Sequence, residues 1–188
     1  ALLRQCQFVI IDISDVCKKY AQTMEGLATV RDGSEGTLGT GYWQCNVTAV
    51  NDDATMVVPA YSELFSHQVE VTSENQKILN AKEQVMAHAA PESIAVLDRG
   101  GDREALLNAH LQANHQFITR QVGQRYLFYK GKERSFKYLT GKTSLRWTVV
   151  VNRIHKNRTR QLTYDCGAIP VKLTTNGRPL WLVVMKER

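Results

Sequence analysis

The sequence predicts an α/β core over residues 1–122 followed by a basic, β-rich segment over 123–188. Three observations lead there. Two continuous apolar runs, Phe-Val-Ile-Ile at 8–11 and Ile-Ala-Val-Leu at 94–97, each close on an aspartate, the pattern of strands buried on both faces. Helical periodicity follows each run. Beyond Val122 the pattern turns to short runs divided by turn residues, the texture of antiparallel strands.

Taken in order, residues 7–13 form the first strand. Val16, Tyr20, Met24 and Leu27 follow at spacings of 4, 4 and 3, which suits either a helix or an extended excursion. A Gly-rich loop at 31–41 leads to a strand at 42–50, a turn at 51–53 and a second strand at 54–61, together a hairpin. Ser73 sits where a cap belongs for a helix reaching about residue 89, with Gln76 completing a capping box. Ile78, Ala81, Val85 and His88 share one face of that helix, and Pro91 ends it. A strand at 94–97 comes next. Asp102 reads as the N-cap of a helix through 114, and residues 116–119 begin a fifth core strand. In the second segment strands are expected at 146–153, 161–165, 168–173 and 180–186. Asn176-Gly177 is a two-residue hairpin signal between the last two.

Composition narrows the function. The chain of 188 residues is 43% apolar and 22% charged, enough for a core without staples. No apolar run approaches the 18 residues of a spanning helix, and the first residues lack a signal-peptide pattern. The chain reads as a piece of a longer one. Cysteines at 6, 17, 45 and 166 make no C-x-x-C, which excludes finger-type zinc sites and points to free thiols in a cytoplasmic setting. The net charge of +6 is unevenly placed. Residues 1–98 carry 6 basic and 13 acidic side chains, whereas 99–188 carry 18 and 5. Such asymmetry suits a polyanionic partner at one end.

Asp12 and Asp98 carry the sharpest chemistry, because each stands at the C-terminal end of an apolar strand, where open α/β sheets bind ligands. Two carboxylates brought together repel unless a cation lies between them. Their hard oxygens favour Mg²⁺, with Mn²⁺ as a substitute, and paired ions about 3.5–4 Å apart suit in-line phosphoryl transfer. Asp15 rivals Asp12, but Ser14 occupies the place a haloacid dehalogenase-type phosphatase gives its second aspartate. Asp102 rivals Asp98, and capping accounts for it. The glycines at 33, 36, 39 and 41 form a turn, since no Lys-Ser or Lys-Thr follows them. The histidines are dispersed, with His110 and His115 expected on a helix surface and at a helix end. From 120 to 160 there are 12 Lys or Arg and one acid, Glu133. Arg120, Arg125, Lys130, Arg146, Arg153, Arg158 and Arg160 are candidate phosphate contacts. The interleaved Tyr126, Phe128, Tyr129, Phe136 and Tyr138 are read as core positions.

Asp-Ile-Ser-Asp at 12–15 leading to Lys18, Ala-Gln-Thr-Met-Glu-Gly-Leu at 21–27 and Arg-Asp-Gly at 31–33 resemble bacterial insertion-sequence transposases of the DDE class. So do Gly-Tyr-Trp at 41–43, Val-Leu-Asp-Arg-Gly-Gly-Asp-Arg at 96–103 and Phe-Ile-Thr-Arg at 117–120. The resemblance implies an RNase H-like fold, a mixed sheet flanked by helices, with metal-binding aspartates that fall on Asp12 and Asp98. It makes the β-rich tail an insertion ahead of the third acidic residue, and it implies double-stranded DNA as partner, a homodimer at work, no membrane, and a nucleoid-associated place in the cytoplasm. The third acidic residue belongs to a Tyr-x-x-Arg-x-x-x-Glu-x-x-x-x-x-x-Lys helix that nothing here matches, and Glu187 is a poor replacement at the end of an expected strand. The expectation is therefore a catalytic-core fragment, inactive alone, whose parent cleaves transposon ends and joins them to target DNA. The alternatives are another RNase H-like nuclease and a non-enzymatic nucleic-acid-binding module on a degenerate core.

Overall fold

The computed structural model describes residues 1–188 except Gln22, Ser34, Lys156 and Asn157, and except the side chains of Ile154, His155 and Arg158. Among the described residues the chain is mixed α/β, mostly strand, with two sheets and three helices. It divides into two compact units, Ala1–Gln121 and Val122–Arg188.

The first unit holds β1 (Phe8–Cys17), β2 (Ala28–Arg31), β3 (Leu38–Val50), β4 (Val57–Phe65), α1 (Glu74–Met86), β5 (Ile94–Leu97), α2 (Glu104–Gln112) and β6 (Gln116–Thr119). The sheet order is β2-β3-β1-β5-β6, and β4 also pairs with β3. β1, β5 and β6 run parallel, whereas β3 is antiparallel to β1, β2 and β4. The 13 residues of β3 let one edge serve two partners in succession, β2 at 38–41 and β4 at 43–50.

The core lies on one face of this sheet. Val9 and Ile11 of β1, Cys45, Val47 and Ala49 of β3, and Ala95 and Leu97 of β5 are buried with Ile78, Ala81 and Val85 of α1 and Leu106 of α2. The run at 7–13 is therefore buried on one face only. Ile10 is 40% exposed and Asp12 is exposed, because both helices cover the same side. The 16–30 stretch takes the extended option: β1 continues to Cys17, paired with Gly41, and the chain then reaches β2. The Gly-rich loop shortens accordingly, since Leu38, Gly39, Thr40 and Gly41 already belong to β3.

Ser73 caps α1 as its sequence position suggests, its hydroxyl accepting from the Gln76 N–H at 3.2 Å. The capping box is not reciprocal, because the Gln76 amide donates to Asn80 Oδ1 instead. The helix stops at Met86, so His88 falls beyond it and is exposed. Lys77 and Lys82 are buried on this helix. Asp102 does not cap α2; Arg103 holds the N-cap position, without a side-chain bond, and Asp98 instead caps a 3-10 turn at Arg99–Gly101.

The second unit holds β7 (Tyr126–Tyr129), β8 (Lys132–Ser135), α3 (Phe136–Lys142), β9 (Trp147–His155), β10 (Arg158–Leu173) and β11 (Pro179–Glu187). β10 is the spine, 16 residues long, with β11 on one edge and both β9 and β7 on the other. The strands expected at 161–165 and 168–173 are thus one. Gly167 sits between them because a side chain there would meet the Ser144 carbonyl oxygen at 2.2 Å. The final hairpin closes through four residues, 174–177, with the Leu173 N–H donating to the Arg178 carbonyl and the Gly177 N–H donating to the Leu173 carbonyl. Of the aromatics expected in the core only Phe136 is fully buried. Tyr138 is 38% exposed on α3, and Tyr126 is 56% exposed because alternation along β7 turns Leu127 inward in its place.

Candidate metal centre at the strand ends

β1 outruns β5. Ile11 is paired with Leu97, the last residue of β5, and β1 goes on for six residues with no parallel neighbour on that side. Asp12 and Asp98 are the next residues on the two strands. From β1 the chain crosses to β2 and β3 on one side, and from β5 it goes to β6 on the other, so the strand ends diverge at this point. Open sheets form ligand crevices at such a divergence. A cavity of about 130 Å³ lies there, bordered by both aspartates and by Trp43, Glu74, Ile78 and Arg103.

Asp98 is held by its own turn. Its Oδ1 accepts from the Gly100 N–H at 2.6 Å, which fixes the carboxylate while leaving the second oxygen outside that bond. The turn needs glycine at 101, because a side chain would stand 2.4 Å from Leu97 Cβ and 2.9 Å from Thr119 Oγ1. Loss of hydration raises the pKa of Asp12 above the usual carboxylate range, and the nearby Asp98 charge raises it further, against a backbone bond at Ile13 that lowers it. That repulsion is what an added cation relieves. The donor set, two carboxylates beside one small cavity, fits a single hard divalent ion. Among the described residues no group of three His, Cys, Asp or Glu stands ready to hold a metal.

Two charged residues of the cleft escaped the sequence reading. Glu74 opens α1 and Arg103 opens α2, and they form an ion pair, with Arg103 Nη1 also donating to Asn75 Oδ1 at 2.9 Å. Their nearness is tertiary. Only the coincidence of two helix starts hinted at it.

The histidine expected on the surface is not there. His110 is 1% exposed, its ring stacked on Phe117 with centroids 4.9 Å apart, and neither nitrogen has a hydrogen-bond partner among the described residues. Burial, with help from Lys82 and His115, pushes its pKa down to about 4. Leu106, Leu107 and His110 at spacings of 1 and 3 carried a readable inward signal. Lys82 is held below the ordinary lysine range by burial, partly offset by Glu83. Lys77 lies over the Phe65 ring and bonds Glu63 at 2.6 Å and Glu70 at 2.8 Å. Burial opposes its charge, but the two carboxylates outweigh that and its pKa rises.

The candidate phosphate contacts are scattered. Arg120 belongs to the first unit, exposed just past β6. In the second unit, Lys130 is exposed in the turn between β7 and β8 with its ammonium 5.4 Å from the centre of the Tyr129 ring. Arg125 is half-buried, and Arg146 is exposed just before β9. Arg153 and Arg160 are direct partners across β9 and β10, both exposed, and so share one face. The side chain of Arg158 lies outside the described residues. No helix among the described residues is long and apolar enough to cross a membrane. No protein-family model matches the chain, and no curated protein matches it significantly.

Proposed function

We propose that the first unit is the RNase H-like catalytic core of a DDE-type DNA transposase and that the second is its basic, β-rich insertion. One observation carries this reading: the register of Ile11 with Leu97 sets Asp12 and Asp98 on neighbouring strand ends beside a single cavity. The motifs that resemble the family contain these same two residues.

When bound, Mg²⁺, or Mn²⁺ in its place, supplies the positive charge that activates water or a 3′-hydroxyl and steadies the departing oxygen. Asp12 and Asp98 would hold the ion through their carboxylates. The Gly100 N–H fixes the orientation of Asp98. Arg146, Arg153 and Arg160 neutralise phosphates of double-stranded DNA, the transposon end or the target, and contacts of that kind position DNA without reading its sequence. A homodimer holds the two ends. Full activity belongs to a protein that also carries the acidic helix this sequence does not match.

The test is incubation with Mn²⁺ and a labelled duplex containing the inverted repeat that flanks the gene. This chain is compared with a longer one bearing a Tyr-x-x-Arg-x-x-x-Glu helix. Cleavage and strand transfer by the longer chain, abolished by Asp12→Asn, are the expected result. Cleavage without strand transfer favours another nuclease of the same fold. DNA binding indifferent to Mn²⁺ and to Asp12→Asn favours a non-enzymatic module.

A further inference from the structure

We propose that Arg103 is a charge latch on the Asp12–Asp98 cleft, holding Glu74 in an ion pair that must open before Glu74 joins the two aspartates around a divalent cation. The inference rests on the metal-binding reading above.

Four charged side chains border the cavity, and three of them are acidic. Arg103 is the one cation among these lining residues, and it is anchored rather than loose. One terminal nitrogen bonds Glu74 and the other bonds Asn75, both in the first turn of α1. The guanidinium fork thereby draws Glu74 toward α2 and satisfies its charge locally. Among the described residues the two aspartates have no cation of their own, and the repulsion already described remains.

The latch is weak enough to open. Its side chains are 38% and 29% exposed, and an ion pair so open to water contributes at most about 1 kcal/mol. A hard divalent ion, by contrast, gains from every added carboxylate oxygen. Entry of the ion beside Asp12 and Asp98 thus competes directly with Arg103 for Glu74. Once freed, Arg103 still borders the cleft as a fork able to receive a phosphate oxygen of DNA.

The experiment measures Mn²⁺ affinity of the 188-residue chain by calorimetry, with circular dichroism confirming the fold of each variant. Arg103→Gln should tighten Mn²⁺ binding by up to about fivefold, equivalent to about 1 kcal/mol. Adding Glu74→Gln to it should remove the gain. Arg99→Gln, which deletes a nearby positive charge outside the cavity lining, should change affinity less than twofold. An unchanged or weaker affinity in folded Arg103→Gln, or a gain that survives Glu74→Gln, overturns the latch. If Arg103→Gln does not fold, Arg103→Met keeps the apolar stem, loses the charge and should show the same gain; equal affinity there counts against the latch. Mn²⁺ binding that ignores Asp12→Asn overturns the metal reading itself, which separates the two failures.

Discussion

Ile11 and Leu97 are partners across the parallel pair of β1 and β5, and each is followed by an aspartate. The repulsion this creates has a sign that can be measured. Asp12 has a folded pKa above its ordinary value, so the folded chain holds its proton more tightly than the unfolded chain does. The penalty is absent below the ordinary carboxylate pKa and complete above the raised one. Asp12→Asn should therefore raise the melting temperature at pH 7, by about 1–2 °C for so exposed a pair, and the advantage should close near pH 3. A variant that melts lower at pH 7 would count against the repulsion.

His110 should make the first unit acid-sensitive. Its folded pKa of about 4 lies below the unfolded value of 6.5, so the unfolded state takes up a proton first. Stability is fully present above pH 6.5 and is lost as pH falls through that value toward 4, by up to about 3 kcal/mol. His110→Phe keeps a ring beside Phe117 and should flatten the urea midpoint across that window. An equal slope in both proteins would place the sensitivity elsewhere.

Lys77 ties the first turn of α1 to the end of β4. Lys77→Met leaves Glu63 and Glu70 facing each other without their shared cation, and should destabilise the chain by about 2 kcal/mol. The figure is moderate because both carboxylates reach water. Lys77→Met with Glu63→Gln should recover part of the loss in a chemical-denaturation cycle; a double variant as unstable as the single one would refute the charge explanation.

Arg153 and Arg160 share a face, so they should act on DNA as a pair. Each neutralised phosphate contributes about 0.9 to the slope of log affinity against log salt. Replacing both with Ala should lower the slope by about 2 for any duplex sequence. No change would return both arginines to the solvated surface.

The sequence disclosed the two strand ends because an apolar run and its closing aspartate are local facts. It disclosed the cap at Ser73 for the same reason. Neither the one-sided burial of β1 nor the Arg103–Glu74 pair is local: each depends on α1 and α2 choosing one face of the sheet. The ion pairs of Lys77 are not local either, since its partners sit 14 and 7 positions away, on β4 and in the loop before α1. Gly167 looked like a break in a strand because the close approach of Ser144 that requires it is invisible in one dimension. His110 was readable, and the spacing from Leu106 argued for burial more strongly than its imidazole argued for solvent.

The long β10 strand also sets a clock for the second unit. Tyr164, Asp165 and Cys166 are bracketed by β9 on one edge and β11 on the other, whereas Arg160 has only β9 beside it. In deuterium exchange the amides at 164–166 should be the last of this unit to exchange, since releasing them takes both neighbours apart. Those near Arg153 and Arg160 should exchange earlier, because β9 alone among the described strands pairs with β10 there. The arginine pair thus sits on the part of β10 held by one strand, so fitting it to the contour of a bound duplex need not disturb residues 164–166.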